Sequence, residues 1–482
     1  MEVLVVGSGG REHAIAWRLA TSSGVDTIYC APGNGGTSMI AQNVAQPIKT
    51  EMECEQLAHW AYQNRIDLVI VGPEVPLRYG MVDTLMTYAI PVLGPTQAAA
   101  RLEWSKAWAR DFMQRQDIPS PKYDVLEGID AVKARLNDPA TIYPLVLKAD
   151  GLAAGKGAEV VRSPEEAEDA LNLMRTVGAL PQDGVVKFVL EEYLEGVEVS
   201  ALAFTDGETV AMMPPVCDYK RLLDGDKGPL TGGMGAYSPS KYATPELWAM
   251  VETEIILRAV KAMSSEGTPY RGVLYAGLML TENGPKVLEF NSRFGDPETQ
   301  VLLPKLKTPL EDIALAIAGG RLAELGPLEW SNRATVGVVL ASEGYPVSQD
   351  VHKRVEGLAD IDEGVLVFHA GTSLRGAVSI NPIADFTEPK TSMLGTLFGR
   401  KRESRFGQMS SDLVSPNIEA VGGRILTVVA SAATLGEARD IAYRNIARIK
   451  AEGTQFWGDI ALREIEPERT ETVPGVPAPE EI

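Results

Sequence analysis

The chain is poor in cysteine and histidine, which restricts the chemistry that it can use. Its 482 residues include three cysteines and four histidines. Cys30, Cys54 and Cys217 lie far apart and form no CxxC pair, so neither a disulfide framework nor a zinc site is indicated. We therefore expect a reducing cytoplasm as the place where the protein acts.

Positive charge and long apolar runs are also scarce. The formal net charge of −20 disfavours non-specific binding to nucleic acid, because such binding needs a basic surface. The apolar runs fall well short of the roughly 18 residues that a membrane helix needs. The hydrophobic fraction of 45% permits large buried cores. Small-molecule partners are therefore expected, without nucleic acid or membrane.

Three units follow one another along the chain. Residues 1–103 alternate apolar strands with amphipathic helices, which predicts an α/β unit with a doubly wound parallel sheet. Residues 104–327 predict a second unit, with a subdomain at about 120–190. Residues 328–465 predict a third, interrupted at about 373–421 by an insertion with the basic run "FGRKRESRFG", interpreted as an exposed loop. The acidic, proline-rich residues 466–482 are predicted to be disordered.

Helices and strands are predicted from the spacing of apolar residues in the first unit. The predicted strands are Val3–Val6, Thr27–Ala31, Leu68–Val71 and Pro91–Leu93, and the predicted helices are His13–Thr21, Met52–Asn64 and Tyr79–Tyr88.

The opening stretch "VLVVGSGGREHAIAW" lacks one residue of a dinucleotide-binding turn. The G-x-G-x-x-G pattern is met by Gly7 and Gly9, but Glu12 stands where the third glycine belongs. The second strand also ends without the carboxylate that holds a ribose, so a dinucleotide site is disfavoured. The backbone N–H groups at Gly9, Gly10 and Arg11 predict an anion site at the helix N-terminus. A tight turn that only packs the helix remains the alternative.

Two more loops, "APGNGG" and "VGPEVPL", leave the same sheet at strand ends. Such loops form the ligand crevice in open α/β sheets. Glu74 lies between two prolines and is a candidate for pairing with ribose hydroxyls, or else is a surface carboxylate that caps a turn.

The P-loop spacing is also absent, although a phosphate loop is indicated. Lys148 ends a buried strand, where a lysine is costly unless it meets an anion. The loop "GLAAGKG" that follows has small residues and one lysine, Lys156, and this composition suits a polyphosphate. Further on, "LEEYLEGVEVS" offers backbone groups at Glu192 and Leu194 to an adenine and Glu198 to a ribose, or is an ordinary charged strand and turn.

A strand near residue 290 carries a candidate metal and phosphoryl site. Glu289 and Asn291 stand two apart, so both side chains are predicted on one face, with Leu288 and Phe290 in a core on the other. Carboxylate and amide oxygens suit Mg²⁺. Arg293 follows and is suited to stabilise a transferring phosphoryl group. The loop "DYKRLLDGDKGPLTGGMGAYSP" is predicted to lie near this reaction centre.

Together these stretches resemble the glycinamide ribonucleotide synthetase (phosphoribosylamine–glycine ligase) family of the ATP-grasp superfamily. The matching runs are "GSGGREHA", "APGNGGT", "IDLVIVGPEVPL", "KADGLAAGKG", "TGGMGAYSP", "GVLYAGLM" and "EFNSRFGDPETQ". The resemblance implies an N-terminal pre-ATP-grasp domain, a central ATP-grasp domain of two α+β subdomains and a small barrel-sandwich-like C-terminal domain. It further implies a monomer that uses ATP with Mg²⁺ or Mn²⁺ to join glycine to 5-phosphoribosylamine.

The same resemblance assigns roles to residues. The implied phosphoribosylamine-binding residues are Gly9, Gly10, Arg11, Asn34, Gly36 and Glu74. The implied ATP-binding residues are Lys106, Lys148, Gly155, Lys156, Gly157, Glu191, Glu192, Leu194 and Glu198. The implied catalytic residues are Asp218, Lys220, Arg221 and Arg293, and the implied metal ligands are Glu289 and Asn291.

Two positions and one stretch depart from the family pattern. Tyr219 stands where the family has histidine, Leu230 stands where it has asparagine, and the phosphate-covering stretch "VGALPQDG" has only its outer glycines. The departures at Tyr219 and Leu230 keep one alternative open, a protein that binds a nucleotide or phosphoribosyl ligand without turnover. A second alternative is a different ATP-grasp enzyme, such as a carboxylase of the same pathway.

Overall fold

The computed structural model describes most of the chain. The described residues are 1–152, 157–176, 178, 180, 186–225, 227–347, 352–381 and 417–465. Gly155, Lys156, most of "VGALPQDG", most of the predicted insertion and the predicted disordered tail lie outside them. Within the described ranges, the chain has no helix of the length and apolarity needed to cross a bilayer.

The N-terminal unit is a parallel sheet covered on both faces. Its elements are β1 Glu2–Gly7, α1 Gly10–Ala20, β2 Thr27–Pro32, α2 Thr37–Ile40, β3 Gln42–Asn43, α3 Glu51–Gln63, β4 Leu68–Val71, α4 Glu74–Arg78, α5 Met81–Thr87 and β5 Val92–Leu93. The strand order is β3-β2-β1-β4-β5, and all pairs are parallel. Along β1, Val3 and Val5 enter one core while Leu4 and Val6 enter the other, which confirms the doubly wound arrangement.

Two predicted helices in this unit have different bounds. The helix expected at Tyr79–Tyr88 is α5, which begins at Met81 because its N-cap Gly80 has a positive φ of 71°; the separate short helix α4 ends just before it, at Arg78. Helix α1 begins at Gly10 rather than at His13, because Gly9 is its N-cap and Glu12 accepts a hydrogen bond from the Gly9 amide.

The central unit contains two four-stranded antiparallel sheets. Its elements are α6 Arg101–Trp104, α7 Lys106–Arg115, β6 Tyr123–Glu127, α8 Ile129–Leu136, β7 Leu145–Ala149, β8 Ala158–Val161, α9 Pro164–Thr176, β9 Lys187–Glu192, β10 Val197–Thr205, β11 Val210–Met212, β12 Cys217–Asp218, β13 Arg221–Leu223, β14 Lys227–Leu230, β15 Gly235–Ser238, α10 Pro245–Met250, a π-helical stretch Val251–Ile256, α11 Leu257–Ser265, β16 Gly272–Thr281, β17 Gly284–Asn291, α12 Glu298–Leu302, α13 Leu310–Ala318 and 3-10 turns at Leu303–Lys305 and Leu322–Leu325. The sheet orders are β6-β9-β7-β8 and β11-β10-β16-β17.

The C-terminal unit shares its sheet with the central unit. Its elements are β18 Ala334–Ser342, β19 Lys353–Arg354, a 3-10 turn Leu358–Asp360, β20 Leu366–His369, β21 Thr372–Leu374, β22 Ile418–Ala420, β23 Arg424–Ala432, α14 Leu435–Ile446, β24 Thr454–Gln455 and α15 Leu462–Ile465. The order β12-β15-β18-β23-β20 places two strands of the central unit beside three of the C-terminal unit. The loop that starts at Asp218 is therefore anchored on this shared sheet.

A glycine at the joint between the first and last units gives a test of the fold. A Cβ added at Gly36 would lie 2.3 Å from Cε1 of His13 and 2.7 Å from Cβ of His369. We expect Gly36→Ala to lower the free energy of unfolding by about 1–3 kcal/mol, because both neighbours are buried and cannot move away. Gly436→Ala is the matched control, since its added Cβ has ordinary contacts. Equal thermal unfolding midpoints for the two variants would contradict this packing.

Candidate active site

The candidate metal ligands lie side by side at the end of β17. Asn291 Nδ2 donates to Glu289 Oε1 at 3.4 Å, which confirms the prediction that the two side chains share a face. The prediction for Leu288 is wrong. Gly277 pairs with Glu289 while Leu278 pairs with Val287, so Leu288 is the extra residue of a β-bulge and is only partly buried.

The bulge turns the Leu288 carbonyl towards two cations. It accepts hydrogen bonds from Arg110 Nη2 at 2.6 Å and Lys148 Nζ at 3.0 Å. Both cations also hold Glu191, with Arg110 Nε at 2.6 Å from Oε1 and Lys148 Nζ at 2.9 Å from Oε2. The anion that the buried Lys148 requires is thus a carboxylate of the protein itself, and burial lowers the pKa of Lys148. The structure places Glu191 as the counter-ion of this pair.

Lys106, Glu192 and Leu194 are three further expected nucleotide residues. Lys106 Nζ donates to the carbonyl of Gly151, the first residue of the glycine-rich loop, at 2.8 Å, and the carbonyl of Gly157, the last residue of that loop, accepts from the Ala149 amide. Glu192 accepts from Lys286 Nζ at 2.9 Å. Leu194 lies in the connection from β9 to β10, which joins the two antiparallel sheets.

A lysine with two carboxylates forms the next group. Lys220 Nζ hydrogen-bonds Glu198 and lies 3.9 Å from Asp218 Oδ2. Burial by itself lowers the pKa of Lys220. The charges of Asp218 and Glu198 outweigh burial and raise this pKa well above its usual value. Burial raises the pKa of Asp218 to about 7, against the opposing effect of Lys220. Burial by itself raises the pKa of Glu289. Lys220 and other lysines outweigh burial and lower this pKa to about 2, so the carboxylate is ionised.

The two neighbours of Lys220 in the chain have other contacts. Arg221 Nη1 donates to the Gly228 carbonyl at 2.9 Å, across the hairpin of β13 and β14. The Tyr219 ring packs on Trp457, with ring centroids 5.4 Å apart, and Arg463 Cζ lies 4.6 Å from its centre. The tyrosine that replaces the family's histidine therefore faces the C-terminal segment.

Arg293 connects the metal ligands to the N-terminal unit. Its Nη2 lies 2.8 Å from Glu103 Oε1 and donates to Asn291 Oδ1 at 3.1 Å, while its Nε lies 3.6 Å from Glu74 Oε2. Burial by itself lowers the pKa of Arg293, but the charges of Glu103 and Glu74 outweigh burial and raise it. Glu103 could not be identified as a site residue from the sequence, because one acid in a short amphipathic stretch gives no signal of what it faces.

Glu12 occupies the opening turn. Its carboxylate accepts from the Gly9 amide and from Arg11 Nε, each at 2.5 Å. A Cβ added at Gly72 would lie 2.1 Å from Glu12 Oε1, so the side chain fills the space between two strand ends. The side chain at the position of the missing glycine therefore closes the turn itself. The Gly9 amide already donates to Glu12. The Gly10 backbone lies against Gln300, since a Cβ added at Gly10 would lie 2.6 Å from Gln300 Nε2.

Asn34 and Gly36 lie at the joint between the N-terminal and C-terminal units. Asn34 Nδ2 donates to the carbonyls of Ser8 at 2.9 Å and His369 at 2.8 Å, and its Oδ1 accepts from the Gly36 amide at 2.8 Å. His13 Nδ1 accepts from the His369 amide at 2.8 Å. Burial lowers the pKa of His13, and lowers that of His369 to about 4, so both rings are neutral at pH 7.

Asp296 and Arg424 form a further ion pair that the sequence did not predict. Asp296 follows Arg293 by three residues, and its Oδ2 lies 3.3 Å from Arg424 Nη2. The quoted run "FGDPETQ" contains Asp296, but its partner stands 128 residues away and has no recognisable motif.

The donor set fits a metal ion that arrives with a nucleotide. Glu289 is ionised, and Asn291 lies beside it with its Nδ2 towards Glu289, while its amide oxygen accepts a hydrogen bond from Arg293 Nη2. No cluster of three or more His, Cys, Asp or Glu side chains suited to a metal ion occurs in the described ranges. A hard cation here would need further oxygens, which the phosphates of a nucleotide supply.

Models of protein families match nearly the whole chain. Residues 1–103 match the N domain of phosphoribosylglycinamide synthetase, residues 104–299 its ATP-grasp (A) domain and residues 335–463 its C domain. The chain is therefore an enzyme of the ATP-grasp superfamily, in agreement with its two antiparallel sheets.

Relatives with similar sequences indicate which family of ATP-grasp enzymes the chain belongs to. The chain is 42% identical over 465 residues to a phosphoribosylamine–glycine ligase of Halalkalibacterium halodurans, covering 96% of this chain and 97% of that one. It is 47% identical over 384 residues to one of Nostoc sp., covering 79% and 89%. The chain belongs to the phosphoribosylglycinamide synthetase family.

Solved structures agree with this assignment. A crystal structure of a phosphoribosylamine–glycine ligase from Thermotoga maritima matches with a TM-score of 0.74 and 29% identity, covering 96% of this chain and 100% of that one. A biotin carboxylase domain from Hydrogenobacter thermophilus, with a TM-score of 0.63 and 16% identity over 94% of this chain and 91% of that one, shares the fold.

The buried Asp218 predicts a pH dependence of stability. Its pKa is about 7 in the folded protein and about 3.9 in an unfolded chain. Between these values the folded protein keeps a proton that the unfolded chain loses, so stability falls as the pH rises. We expect Asp218→Asn to gain stability relative to the wild type across this window and to level off above it. Thermal unfolding at several pH values measures this, with the exposed Asp312→Asn as control; a constant difference would contradict the expectation.

Proposed function

We propose that the chain joins glycine to 5-phosphoribosylamine, using ATP, and releases glycinamide ribonucleotide, ADP and phosphate. The observation that carries the proposal is the position of Arg293. Its guanidinium contacts Asn291, one of the candidate metal ligands, and lies beside Glu74, a candidate ligand of the amine substrate. A phosphoryl site and an amine site that share one arginine suit a reaction that joins two substrates through an activated intermediate.

The reaction runs in two steps. The glycine carboxylate attacks the γ-phosphorus of ATP, which forms glycyl phosphate and releases ADP. The amine of phosphoribosylamine then attacks the carbonyl carbon of glycyl phosphate, and phosphate leaves as the amide bond forms. The chain needs no nucleophile of its own in this scheme, so its contribution is positioning and electrostatic stabilisation.

Each group of side chains has a place in this scheme. Lys148 and Lys106, with Gly155, Lys156 and Gly157, hold the ATP phosphates, while Glu192, Leu194 and Glu198 hold adenosine. Lys220, Arg221 and Arg293 offset the charge of the transferring phosphoryl group, and Asp218 orients Lys220. Gly9, Gly10, Arg11, Asn34, Gly36 and Glu74 line the phosphoribosylamine site. Glu289 and Asn291 would hold Mg²⁺ or Mn²⁺, which shields the phosphate charges when bound.

Three finer points belong to the same proposal. The protein acts in the cytoplasm, which the low cysteine content supports. It acts as a monomer on small molecules. Its domains end near residues 103 and 327.

The direct test supplies ATP, Mg²⁺, glycine and freshly made phosphoribosylamine. We expect ADP release that depends on both glycine and the amine, with glycinamide ribonucleotide as the product detected by mass spectrometry. ADP release that depends on bicarbonate instead would support a carboxylase. Nucleotide binding without ADP release would support a protein that only binds.

The candidate metal ligand can be tested by an isosteric change. We expect Glu289→Gln to lower kcat/KM by about 100-fold or more, equal to about 2.7 kcal/mol of transition-state stabilisation, because a neutral amide binds a hard cation weakly. Glu282→Gln, in the exposed turn before the same strand, is the matched control. Circular dichroism shows whether both variants fold. Near-normal turnover of a folded Glu289→Gln would remove this residue from the metal site.

A further inference from the structure

Arg424 reaches the candidate active site from the C-terminal unit. It is the first residue of β23 and follows Gly422 and Gly423, which have positive φ values of 118° and 68°. Two consecutive residues with positive φ turn the chain sharply before the strand, and glycine adopts this conformation without strain. The guanidinium is directed from the shared sheet towards the turn that follows β17.

The Arg424 guanidinium binds two loops of the central unit together. Its Nη1 donates to the Gly232 carbonyl at 2.7 Å and to the Asp296 carbonyl at 2.6 Å, with the Gly233 carbonyl at 3.4 Å. Its Nη2 lies 3.3 Å from Asp296 Oδ2. A planar group with five donors can serve such a set of acceptors at once, which the ammonium group of lysine cannot do in the same geometry.

A second residue of the C-terminal unit holds the same loop. Tyr345 Oη accepts from the Gly232 amide at 2.9 Å. Gly233 has a φ of 112°, and a Cβ added there would lie 2.5 Å from Pro297 Cδ, so the two loops are packed directly against each other. The position of the Asp296 loop therefore depends on contacts with the C-terminal unit.

Asp296 in turn lies beside the opening turn. A Cβ added at Gly9 would lie 3.2 Å from Asp296 Oδ2, and Gln300, which donates to Asp296 Oδ1 at 2.6 Å, abuts Gly10. Burial by itself raises the pKa of Asp296. Arg424 and, to a smaller extent, Arg11 lower this pKa, so the carboxylate is ionised. Without Arg424, a negative charge would stand with less compensation beside the turn to which we assign the sugar phosphate.

We propose that Arg424 is a positioning residue for the amine substrate: it fixes Asp296 beside the opening turn and offsets its charge. The inference rests on the proposed function, because it takes the opening turn as the phosphoribosyl site. It assigns to the C-terminal unit a part in substrate affinity, through the contacts of Arg424 with Gly232 and Asp296.

The test compares binding and kinetics in four variants: Arg424→Ala, Arg424→Lys, Asp296→Asn with Arg424→Ala, and the control Arg333→Ala. Arg333 is an exposed arginine of the same unit, which donates to the Ser431 carbonyl. Calorimetry measures the dissociation constants of glycinamide ribonucleotide and of ADP, and steady-state assays measure KM for phosphoribosylamine and for ATP.

We expect Arg424→Ala to raise the dissociation constant of glycinamide ribonucleotide and KM for phosphoribosylamine by about tenfold or more, with the ADP and ATP values within about twofold. Arg424→Lys should lie between the alanine variant and the wild type, and Arg333→Ala should match the wild type. The double variant should regain part of the lost affinity, because it removes the uncompensated carboxylate together with its partner.

Other outcomes overturn the inference. They are unchanged binding of glycinamide ribonucleotide in Arg424→Ala and Arg424→Lys, an equal loss for both classes of ligand, or a double variant as weak as Arg424→Ala. If Arg424→Ala does not fold, the same comparison is made between Arg424→Lys and the wild type. A wild-type chain that neither binds glycinamide ribonucleotide nor consumes ATP with glycine would overturn the proposed function instead.

Discussion

The turn from Phe294 to Pro297 is the point on which the three units of the chain depend. The Phe294 carbonyl accepts from Arg11 of the N-terminal unit at 2.9 Å and from Arg293 at 3.2 Å, and the Asp296 carbonyl accepts from Arg424 of the C-terminal unit at 2.6 Å. Three arginines from distant parts of the sequence thus converge on four residues. Such a junction is stable only if each guanidinium meets an acceptor, because an unpaired buried charge is costly.

Charges of opposite sign stand next to each other at three places in the described structure, and this pairing offsets the cost of their burial. Glu103 and Glu74 flank Arg293, Asp218 and Glu198 flank Lys220, and Glu191 lies between Arg110 and Lys148. Removing one partner of such a pair typically costs about 3–5 kcal/mol, because the remaining charge stays buried. The arrangement therefore holds these cations in fixed positions. Pre-positioned charges of this kind stabilise a phosphoryl transition state without reorganisation.

Much of the fold and part of the site could be predicted from the sequence, because the relevant signals are local. The alternation of strands and helices gives the doubly wound sheet, and the two-residue spacing of Glu289 and Asn291 places them on one face. The bulge at Leu288 could not be predicted, since it depends on pairing with Gly277 of the neighbouring strand. Most individual site roles and the domain boundaries stay predictions.

The sequence by itself determined the class of fold, the shared face of Glu289 and Asn291 and the weakness of the dinucleotide pattern at Glu12, because each depends on local sequence patterns. Only the tertiary structure decided what these groups meet. It made Glu191 the counter-ion of Lys148, turned Tyr219 towards Trp457, filled the opening turn with the Glu12 carboxylate and brought Arg424 to Asp296. The physical reason is that charge pairing and packing act over distance in space, which sequence spacing does not record.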